Sequence, residues 1–464
     1  GYLIERSNLI ASFLLNNKED LMEEKIGLLL NPDINYICTL WGIWKAGGVA
    51  VPLSLSAKKD ELKHYISDCN IKLIISSNTY KYQKVIPKSN GLNIIEIEKI
   101  NIKEKRYLPS IKSERKAMIL YTSGTTNKPK GVVTTHMNVE SQITTLVEAW
   151  EWNQEDHIPL FLPLHHIHGI INSLSCPLFI GAKVTMMGPF DTEKVCSQVA
   201  SNDFTVFTAV PTIYFSLIEK LESSNNKKLF EGFTKMRLMM SGSAALAPET
   251  HKKWKELTGQ ELLERYGMTE VGMALSNKIN GEKRPGSVGA PLPGVEVKLE
   301  DDNGNTIVSE GEAGQLLIKG PQVFLEYLNQ PDKTKESFKD DWFMSGDIVM
   351  LERGYYKILG RDSVDIIKSG GYKISALEIE DVLLKNPEIK ECAVVGIADN
   401  KWGEIVATAI VMRSDPVSIE EIQTWCSGYL SDYKIPRKIS FVDNLPKNSM
   451  GKVTKPAIKE ILKG

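Results

Sequence analysis

Residues 121–131 read YTSGTTNKPKG and lie between two apolar runs, Ala117–Leu120 and Val132–Val133. Glycines and small hydroxyl residues leave backbone N–H groups free to surround an anion, and two lysines add positive charge. The stretch is not a Walker A loop, because it lacks the Gly-Lys-Ser/Thr ending of that motif. Runs of Ser, Thr and Gly are also typical of plain surface hairpins. The stretch therefore predicts a phosphate-binding loop, with an ordinary hairpin as the alternative.

The sequence around this loop alternates short apolar runs with amphipathic stretches through residue 350. Two helices are predicted, at Ile34–Lys45, which ends before Gly47-Gly48, and at Glu61–Cys69. The predicted strands are Lys25–Leu30, Val49–Leu53, Lys72–Ser76, Lys183–Met187, Thr205–Val210 and Arg237–Ser241. This alternation predicts a large α/β N-terminal domain.

Near Gly286 the sequence pattern changes. Beyond this point, runs of β-branched residues are separated by turns rich in Gly, Asp and Asn. Strands are predicted at Val295–Leu299 and Gly314–Lys319, which indicates a β-rich subdomain. Beyond residues 360–363 the predicted elements are a helix at Ala376–Leu384, strands at Cys392–Val395 and Ile405–Val411, and a helix at Ile419–Leu430. We expect an N-terminal domain of residues 1–361 and a small α+β C-terminal lid domain of residues 362–464.

The composition excludes several classes of protein. Of 464 residues, 42% are hydrophobic and 25% are charged, as in ordinary globular proteins. Lys and Arg (56) nearly balance Asp and Glu (58), so no global basic field favours nucleic acid or an anionic membrane. Six scattered cysteines form no CxxC pair, which favours a reducing compartment over a disulfide framework or a zinc module. Local features must therefore hold any anionic ligand.

Two features bear on membranes and targeting. Residues 157–182 contain no Asp, Glu, Lys or Arg, and this uncharged segment is long enough to span a bilayer. Prolines, histidines and an asparagine interrupt the segment, so we expect a buried strand, loop and helix instead. The chain begins at Gly1 without a charged-then-apolar leader, and we expect a processed or trimmed form.

Further motifs follow the loop in a fixed order. They are SGSAA (241–245), ERYGMTE (264–270), SGD (345–347), Gly360-Arg361 and PKNSMGK (446–452). Together with YTSGTT they resemble, over essentially the whole chain, the adenylate-forming superfamily of acyl-CoA synthetases, adenylation domains and firefly luciferase. That resemblance implies an α/β body with a mobile C-terminal lid, an acyl-adenylate intermediate, and ATP and Mg²⁺ as cofactors. Coenzyme A serves as the acyl acceptor in the synthetases.

The resemblance assigns roles to individual residues. Lys452 would be the adenylation lysine, Thr269 would lie near the α-phosphate, and Glu270 would assist Mg²⁺. The triphosphate and metal would be held by Thr122, Ser123, Gly124, Thr125, Thr126 and Lys130, with Thr125 a metal ligand. The adenine and ribose would be held by Ser243, Ala244, Glu264, Tyr266, Gly267, Asp347 and Arg361. These residue types suit the reaction, because cations must neutralise charge on the phosphate and an acidic residue accepts ribose hydroxyl bonds.

The resemblance also implies a second half-reaction, in which the lid turns about a hinge at Ser363. Lys368 and Gly371 would then serve the thiolation conformer, and the glycines of residues 369–373 would let the pantetheine arm pass close to the backbone. An ordinary β-turn is the alternative. His166, within the run His165-His166-Ile167-His168, would gate the acid pocket. A zinc site is the less favoured interpretation of this run, because the spacing is poor for tetrahedral ligation.

The match is closest to malonyl-CoA synthetases, over Leu162–Leu174 and Leu262–Ser276. A dicarboxylate needs a cation for the carboxylate that does not react, since an unpaired buried charge is costly. Arg284 is the first candidate for this cation and Arg265 the second. We therefore predict that malonate, ATP and CoA give malonyl-CoA, AMP and pyrophosphate. Methylmalonate is expected as a side substrate.

Other readings of the same motifs remain. A short- or medium-chain fatty acyl-CoA synthetase and a peptide-synthetase-type adenylation module are the main alternatives, followed by a luciferase-like oxygenase and a nucleotide sensor without activity. The expected partners are a small carboxylic acid, ATP and CoA, with no nucleic acid, membrane span or obligate protein partner. The cytoplasm and the mitochondrial matrix suit malonate activation equally.

Overall fold

The computed structural model describes residues 1–77, 91–100, 106–122, 129–370, 372–414, 417–447 and 453–463. The first elements are α1 (Tyr2–Leu15), β1 (Lys25–Leu29), α2 (Ile34–Lys45), β2 (Val49–Pro52), α3 (Lys59–Asp68), β3 (Leu73–Ser76), β4 (Asn93–Glu96), β5 (Lys116–Thr122), β6 (Lys130–Thr135) and α4 (His136–Ala149). They are followed by β7 (His157–Leu160), α5 (Cys176–Ile180), β8 (Lys183–Met186), α6 (Thr192–Val199), β9 (Val206–Ala209), α7 (Pro211–Glu222), α8 (Lys227–Thr234), β10 (Leu238–Ser241), α9 (Pro248–Thr258), β11 (Leu263–Met268), β12 (Gly272–Ser276) and β13 (Ala290–Pro291).

The β-rich part contains β14 (Glu296–Glu300), β15 (Thr306–Ile307), β16 (Ala313–Lys319), β17 (Glu326–Tyr327), α10 (Pro331–Glu336), β18 (Phe338–Lys339), β19 (Trp342–Glu352) and β20 (Tyr355–Arg361). The C-terminal part contains β21 (Ile366–Ser369), β22 (Tyr372–Ser375), α11 (Ala376–Leu384), β23 (Ile389–Asp399), β24 (Gly403–Met412), α12 (Ile419–Ser427), β25 (Lys438–Phe441) and α13 (Lys455–Lys463). Short 3₁₀-helices lie at Ile97–Lys99 and Asp432–Lys434, and a π-helix at His168–Ser175.

Local chemistry explains why α2 begins and ends where the sequence predicts. The Asp33 carboxylate accepts hydrogen bonds from the backbone N–H groups of Asn35 and Tyr36, which caps the first turn. After Lys45 the chain turns through Gly47, whose φ is 78°. A Cβ at Gly47 would lie 2.2 Å from an oxygen of Asp20, so only glycine fits this turn.

Two sheets position the N-terminal half of the site. In the first, the strand order is β17-β6-β5-β2-β1-β3-β4, with parallel pairing from β5 through β4 and antiparallel pairing at β5–β6 and β6–β17. The second has the order β13-β12-β11-β10-β9, in which β9, β10 and β11 are parallel. The strands β1 and β2 are almost wholly buried, as expected of parallel strands covered on both faces.

Two further sheets are antiparallel for the most part, and β7 and β8 form a small parallel pair. The order β15-β14-β16-β19-β18, with β20 beside β19, forms the predicted β-rich subdomain. The C-terminal sheet has the order β22-β21-β24-β23, and β25 pairs with β24 in parallel. The predicted strand Cys392–Val395 is longer in the structure, because β23 forms an extended hairpin with β24. The α/β fold class is confirmed.

The uncharged segment of residues 157–182 is a buried strand, the π-helix and a short helix, as predicted. Among the described residues, none of the helices has both the length and the apolar character that a bilayer crossing requires. All the cysteines fall within the described ranges and carry free thiols.

Asp381 makes the packing of the C-terminal part on the rest of the chain sensitive to pH. It lies on α11, which packs against β20 and α9. Burial raises the pKa of Asp381 to about 7; Lys357 and Lys385 lower it, while Glu380 and Glu264 raise it further. Since the folded pKa exceeds the unfolded value, the ionised carboxylate destabilises the fold increasingly as pH rises from about 4 to 7.

We therefore expect Asp381→Asn to raise the thermal unfolding midpoint, by about 2 °C at pH 8 and by less at pH 5. Differential scanning calorimetry at both pH values measures this shift. Asp399→Asn is the control, because Asp399 lies at the surface and ordinary backbone hydrogen bonds hold its pKa low. An equal shift at the two pH values for Asp381→Asn would contradict the argument.

Candidate active site

Six predicted site residues lie outside the described residues: Ser123, Gly124, Thr125, Thr126, Gly371 and Lys452. Their roles remain predictions. The described neighbours of the phosphate loop are its two stems, which are the ends of β5 and β6, where Thr122 pairs with Lys130.

Side chains from α3 hold both stems of this loop. The Tyr121 hydroxyl donates to the Asp68 carboxylate at 2.7 Å, and the Tyr121 ring lies 4.3 Å from that of Tyr65. On the other stem, His64 Nε2 is 2.9 Å from the carbonyl oxygen of Pro129. One helix therefore sets the spacing of the two strand ends between which the predicted phosphate loop runs.

A tyrosine, an aspartate and an arginine meet at the edge of the β-rich sheet. Register pairs Asp347 of β19 with Arg361 of β20, and Arg361 Nε contacts Asp347 Oδ1 at 3.1 Å. The Tyr266 hydroxyl donates to the other oxygen, Asp347 Oδ2. Burial lowers the pKa of Arg361, but Asp347, Tyr266 and Glu270 together raise it, so the net shift is upward. Asp347 is thus a carboxylate oriented by Arg361 and by the hydroxyl of Tyr266.

Glycine is required in the strand that carries Tyr266. A Cβ at Gly267 would lie 2.1 Å from the carbonyl oxygen of Gly272 on β12, at the irregular register between Tyr266 and Gly267. Half-buried Thr269 and buried Glu270 occupy the turn that follows. Gly267 thus permits the close approach of β11 and β12 that precedes these two residues.

Glu264 and Ala244 stand apart from this cluster. Glu264 is buried, accepts a hydrogen bond from the Gly286 N–H at 2.9 Å, and lies 3.3 Å from His251 Nδ1. Burial raises the pKa of Glu264. Ala244 is exposed in the loop after β10. The Glu264 carboxylate is therefore held by Gly286 and His251.

The two candidate arginines occupy opposite environments. Arg265 is 3% exposed, and its Nε, Nη1 and Nη2 atoms have no hydrogen-bond partner among the described residues. Burial lowers its pKa to about 9. Arg284 lies at the surface, ion-paired with Glu282 at 2.8 Å and stacked on the Tyr355 ring at 3.9 Å. Of the two arginines, Arg265 is the buried one, and within the described part of the chain it has no counterion.

Gly242 makes room for the Arg265 guanidinium. A Cβ at Gly242 would lie 2.5 Å from Arg265 Cζ, and the buried hydroxyl of neighbouring Ser241 has no hydrogen-bond partner in the described ranges. Ser243 follows with a φ of 70° and contacts His168 Nδ1 through its hydroxyl at 3.1 Å. The loop after β10 therefore adjoins both the unpaired arginine and the histidine run.

Within the histidine run, His168 is the best anchored residue. Its Nε2 lies 2.7 Å from the Thr208 hydroxyl on β9, so both ring nitrogens have partners. The rings of His165 and His166 lie 4.2 Å apart, and burial lowers the pKa of His165 to about 4. Among the described residues no group of three or more His, Cys, Asp or Glu could hold a metal. Thr208 is not among the predicted site residues; the signal that could have found it is a hydroxyl inside an apolar strand.

Lys368 and Ser363 lie beyond β20. Lys368 is 59% exposed and ion-paired with Asp362 at 3.4 Å. It sits on β21, next to the predicted hinge. Lys368 is therefore not in contact with the Asp347 cluster in this structure.

An α/β body with a smaller C-terminal part, an aspartate held by a tyrosine and an arginine, and the stems of the predicted phosphate loop fit a nucleotide-using enzyme. The comparisons agree. The AMP-binding enzyme family matches residues 2–328, and the AMP-binding enzyme C-terminal domain matches residues 378–452. The chain belongs to the AMP-binding enzyme family, as the motifs predicted.

Individual relatives are more specific. The chain is 40% identical over 474 residues to malonate–CoA ligase ACSF3, mitochondrial, of Bos taurus, covering 94% of this chain and 81% of the relative. It is 31% identical to ATP-bound MatB from Rhodopseudomonas palustris, with a TM-score of 0.90 over 99% of this chain and 93% of that one. A malonyl-CoA ligase ternary product complex with methylmalonyl-CoA and AMP bound gives 32% identity and a TM-score of 0.69, over 95% and 94%.

Proposed function

We propose that this chain is an ATP-dependent acid–CoA ligase that converts malonate, ATP and CoA to malonyl-CoA, AMP and pyrophosphate through malonyl-adenylate. The observation that carries the choice of acid is the buried, unpaired guanidinium of Arg265. The 40% identical relative named malonate–CoA ligase supports the same acid.

An unpaired buried charge is costly, so its retention indicates a ligand that supplies the opposite charge. Malonate carries one carboxylate that reacts and one that does not, and the second can pair with Arg265. A planar guanidinium suits this role because it can donate two parallel hydrogen bonds to one carboxylate. Arg284 already has Glu282 as its counterion, which makes it the weaker candidate.

The nucleotide is proposed to bind against Tyr266, Asp347 and the ends of β5 and β6 that flank the predicted phosphate loop. The Asp347 carboxylate would accept bonds from the ribose hydroxyls while Arg361 orients it. A malonate oxygen would attack the α-phosphorus, the bond to the bridging oxygen would break, and pyrophosphate would leave. Lys452 and Lys130 would stabilise the charge that develops on the phosphate oxygens.

The side chains present are suited to bind an Mg²⁺ ion that is carried into the site by the triphosphate. Glu270 is buried, and one of its oxygens accepts a hydrogen bond from Tyr327 at 2.8 Å, which leaves the other free of hydrogen bonds among the described residues. A single carboxylate suits Mg²⁺, which keeps its waters and phosphate ligands in many nucleotide sites. The ion would neutralise phosphate charge.

In the second half-reaction the CoA sulfur would attack the acyl carbonyl carbon, AMP would leave, and the thiol proton would pass to solvent. We propose that the part of the chain from residue 362 onward turns about Ser363 to bring Lys368 and Gly371 to this step. The exposure of Lys368 outside the Asp347 cluster supports the proposal. So does the higher TM-score to the ATP-bound relative than to the CoA product complex.

The partners that we propose are therefore malonate, ATP and CoA. Of the two compartments considered, a mitochondrial location is supported by the Bos taurus relative, whose name includes the word mitochondrial. The free thiols are consistent with a reducing compartment.

Pyrophosphate release with ATP, Mg²⁺ and CoA tests the function across malonate, methylmalonate, acetate, octanoate and a set of amino acids. We expect malonate to give the highest kcat/KM, about 100-fold above acetate, because acetate leaves Arg265 unpaired. Mass spectrometry should identify malonyl-CoA. Preference for octanoate or acetate would indicate a fatty acyl-CoA synthetase, and preference for an amino acid an adenylation module. No release with any acid would refute the ligase proposal.

A further inference from the structure

Tyr327 connects two oppositely charged residues of the proposed triphosphate site. It is 4% exposed and lies on β17, a short strand paired with β6. Its hydroxyl donates to Glu270 Oε1 at 2.8 Å. The Nζ atom of Lys130 lies 4.2 Å from the centroid of its ring. One side chain therefore contacts both the proposed metal ligand and the lysine of the phosphate-loop stem.

The backbone around Tyr327 reinforces this connection. We call residues 324–328 the bridging segment. The Phe324 N–H donates to the Glu270 carbonyl oxygen at 2.8 Å, and the Leu328 N–H donates to the carbonyl oxygen of Gly131 at 2.8 Å. The segment thus bonds on one side to the turn that carries Glu270 and on the other to the strand that begins with Lys130.

Tyr327 contacts both a carboxylate and an ammonium group. Among the described residues neither Lys130 nor Glu270 belongs to an ion pair, although Tyr327 contacts both. A tyrosine can serve both because its ring face attracts a cation and its hydroxyl donates to a carboxylate. Burial raises the pKa of Tyr327 above its ordinary value, so the hydroxyl keeps the proton that it donates.

We propose that Tyr327 is a positioning residue that holds Glu270 toward the metal ion and Lys130 toward the phosphates, while preventing an ion pair between them. The proposal rests on the proposed function for the identity of the nucleotide site. It assigns separate tasks to the two parts of the side chain: the hydroxyl orients Glu270 and the ring supports Lys130.

Two variants separate these tasks. Tyr327→Phe keeps the ring and removes the hydroxyl, whereas Tyr327→Leu removes both. For Tyr327→Phe we expect the Mg²⁺ concentration that gives half-maximal pyrophosphate release to rise about fivefold to tenfold, since a hydrogen bond to a charged group is lost. Its affinity for ATP in EDTA, measured by isothermal titration calorimetry, should be unchanged. Tyr327→Leu should in addition bind ATP about threefold more weakly in EDTA.

Tyr36→Phe is the matched control. Tyr36 is a buried tyrosine whose hydroxyl donates to the carbonyl oxygen of Leu164, so the variant loses a similar hydrogen bond elsewhere. It should leave the Mg²⁺ dependence of pyrophosphate release unchanged even if the unfolding midpoint falls as in Tyr327→Phe.

The outcomes that overturn the proposal are specific. Parent-like Mg²⁺ dependence in Tyr327→Phe would overturn it, and so would an equal loss of ATP affinity with and without Mg²⁺, which indicates a purely structural role. If the parent released no pyrophosphate with any acid, the proposed function would fail. The calorimetric comparison of ATP binding with and without Mg²⁺ would still decide whether Tyr327 positions Glu270.

Discussion

Replacing Arg265 with leucine is expected to lower kcat/KM for malonate by about 100- to 1000-fold, because the carboxylate that does not react loses its proposed buried counterion. Activity with acetate should change little, since acetate has no second carboxylate. The same substitution should raise the thermal unfolding midpoint without substrate, because it removes a buried charge that has no partner among the described residues. Loss of activity together with a gain in stability distinguishes a binding residue from a structural one.

Arg284→Leu is the matched control, because it removes the same side chain from a surface position. We expect its kcat/KM for malonate to stay within about twofold of the parent, as for most surface substitutions. Steady-state kinetics with malonate and acetate on both variants checks the pair. A large loss in Arg284→Leu with parent-like kinetics in Arg265→Leu would reverse the proposed assignment.

Replacing Lys452 with alanine is expected to lower the rate of malonyl-adenylate formation by about 1000-fold, because one cation that stabilises the developing phosphate charge is removed. Pyrophosphate exchange without CoA isolates this half-reaction. Transfer of the malonyl group from synthetic malonyl-adenylate to CoA should keep most of its parent rate, since Lys452 is assigned to the first step alone.

The control for Lys452 is Lys447→Ala. Lys447 belongs to the same motif and forms an ion pair with Glu391 at 2.6 Å, so the structure already accounts for its charge. We expect about parent-like adenylation in that variant, since partly exposed ion pairs contribute little. Equal losses in both half-reactions for Lys452→Ala would show that the variant is damaged generally, and parent-like exchange would remove Lys452 from the mechanism.

Much of the secondary structure was predictable because its signals are local. Both ends of α2 and of α11 agree with the predicted bounds. Side chains cap their first turns, Asp33 for α2 and Ser375 for α11, and such caps lie within a few residues of the turn they stabilise. The predicted ends of the strands were less accurate than those of these helices. The long β23–β24 hairpin exceeds both predicted strands because its length depends on a partner strand rather than on neighbouring residues.

The family and the ligase class were also predictable, since ordered motifs such as YTSGTT and ERYGMTE are properties of the chain itself. The matches to AMP-binding enzymes confirm the predicted family, and the malonate–CoA ligase relatives support the predicted reaction. The individual site assignments remain proposals for the variants above to test.

The amino-acid sequence was therefore sufficient for the α/β class, the order of most elements and the family. The choice between Arg265 and Arg284 required the folded chain, because the burial of Arg265 comes from residues distant in sequence, even though the counterion of Arg284, Glu282, is its neighbour in the chain. The same holds for Tyr327, which lies 57 residues from Glu270 along the chain yet donates a hydrogen bond to it. Motifs identify the residues that a reaction needs, but long-range packing determines which charges are left unpaired to perform it.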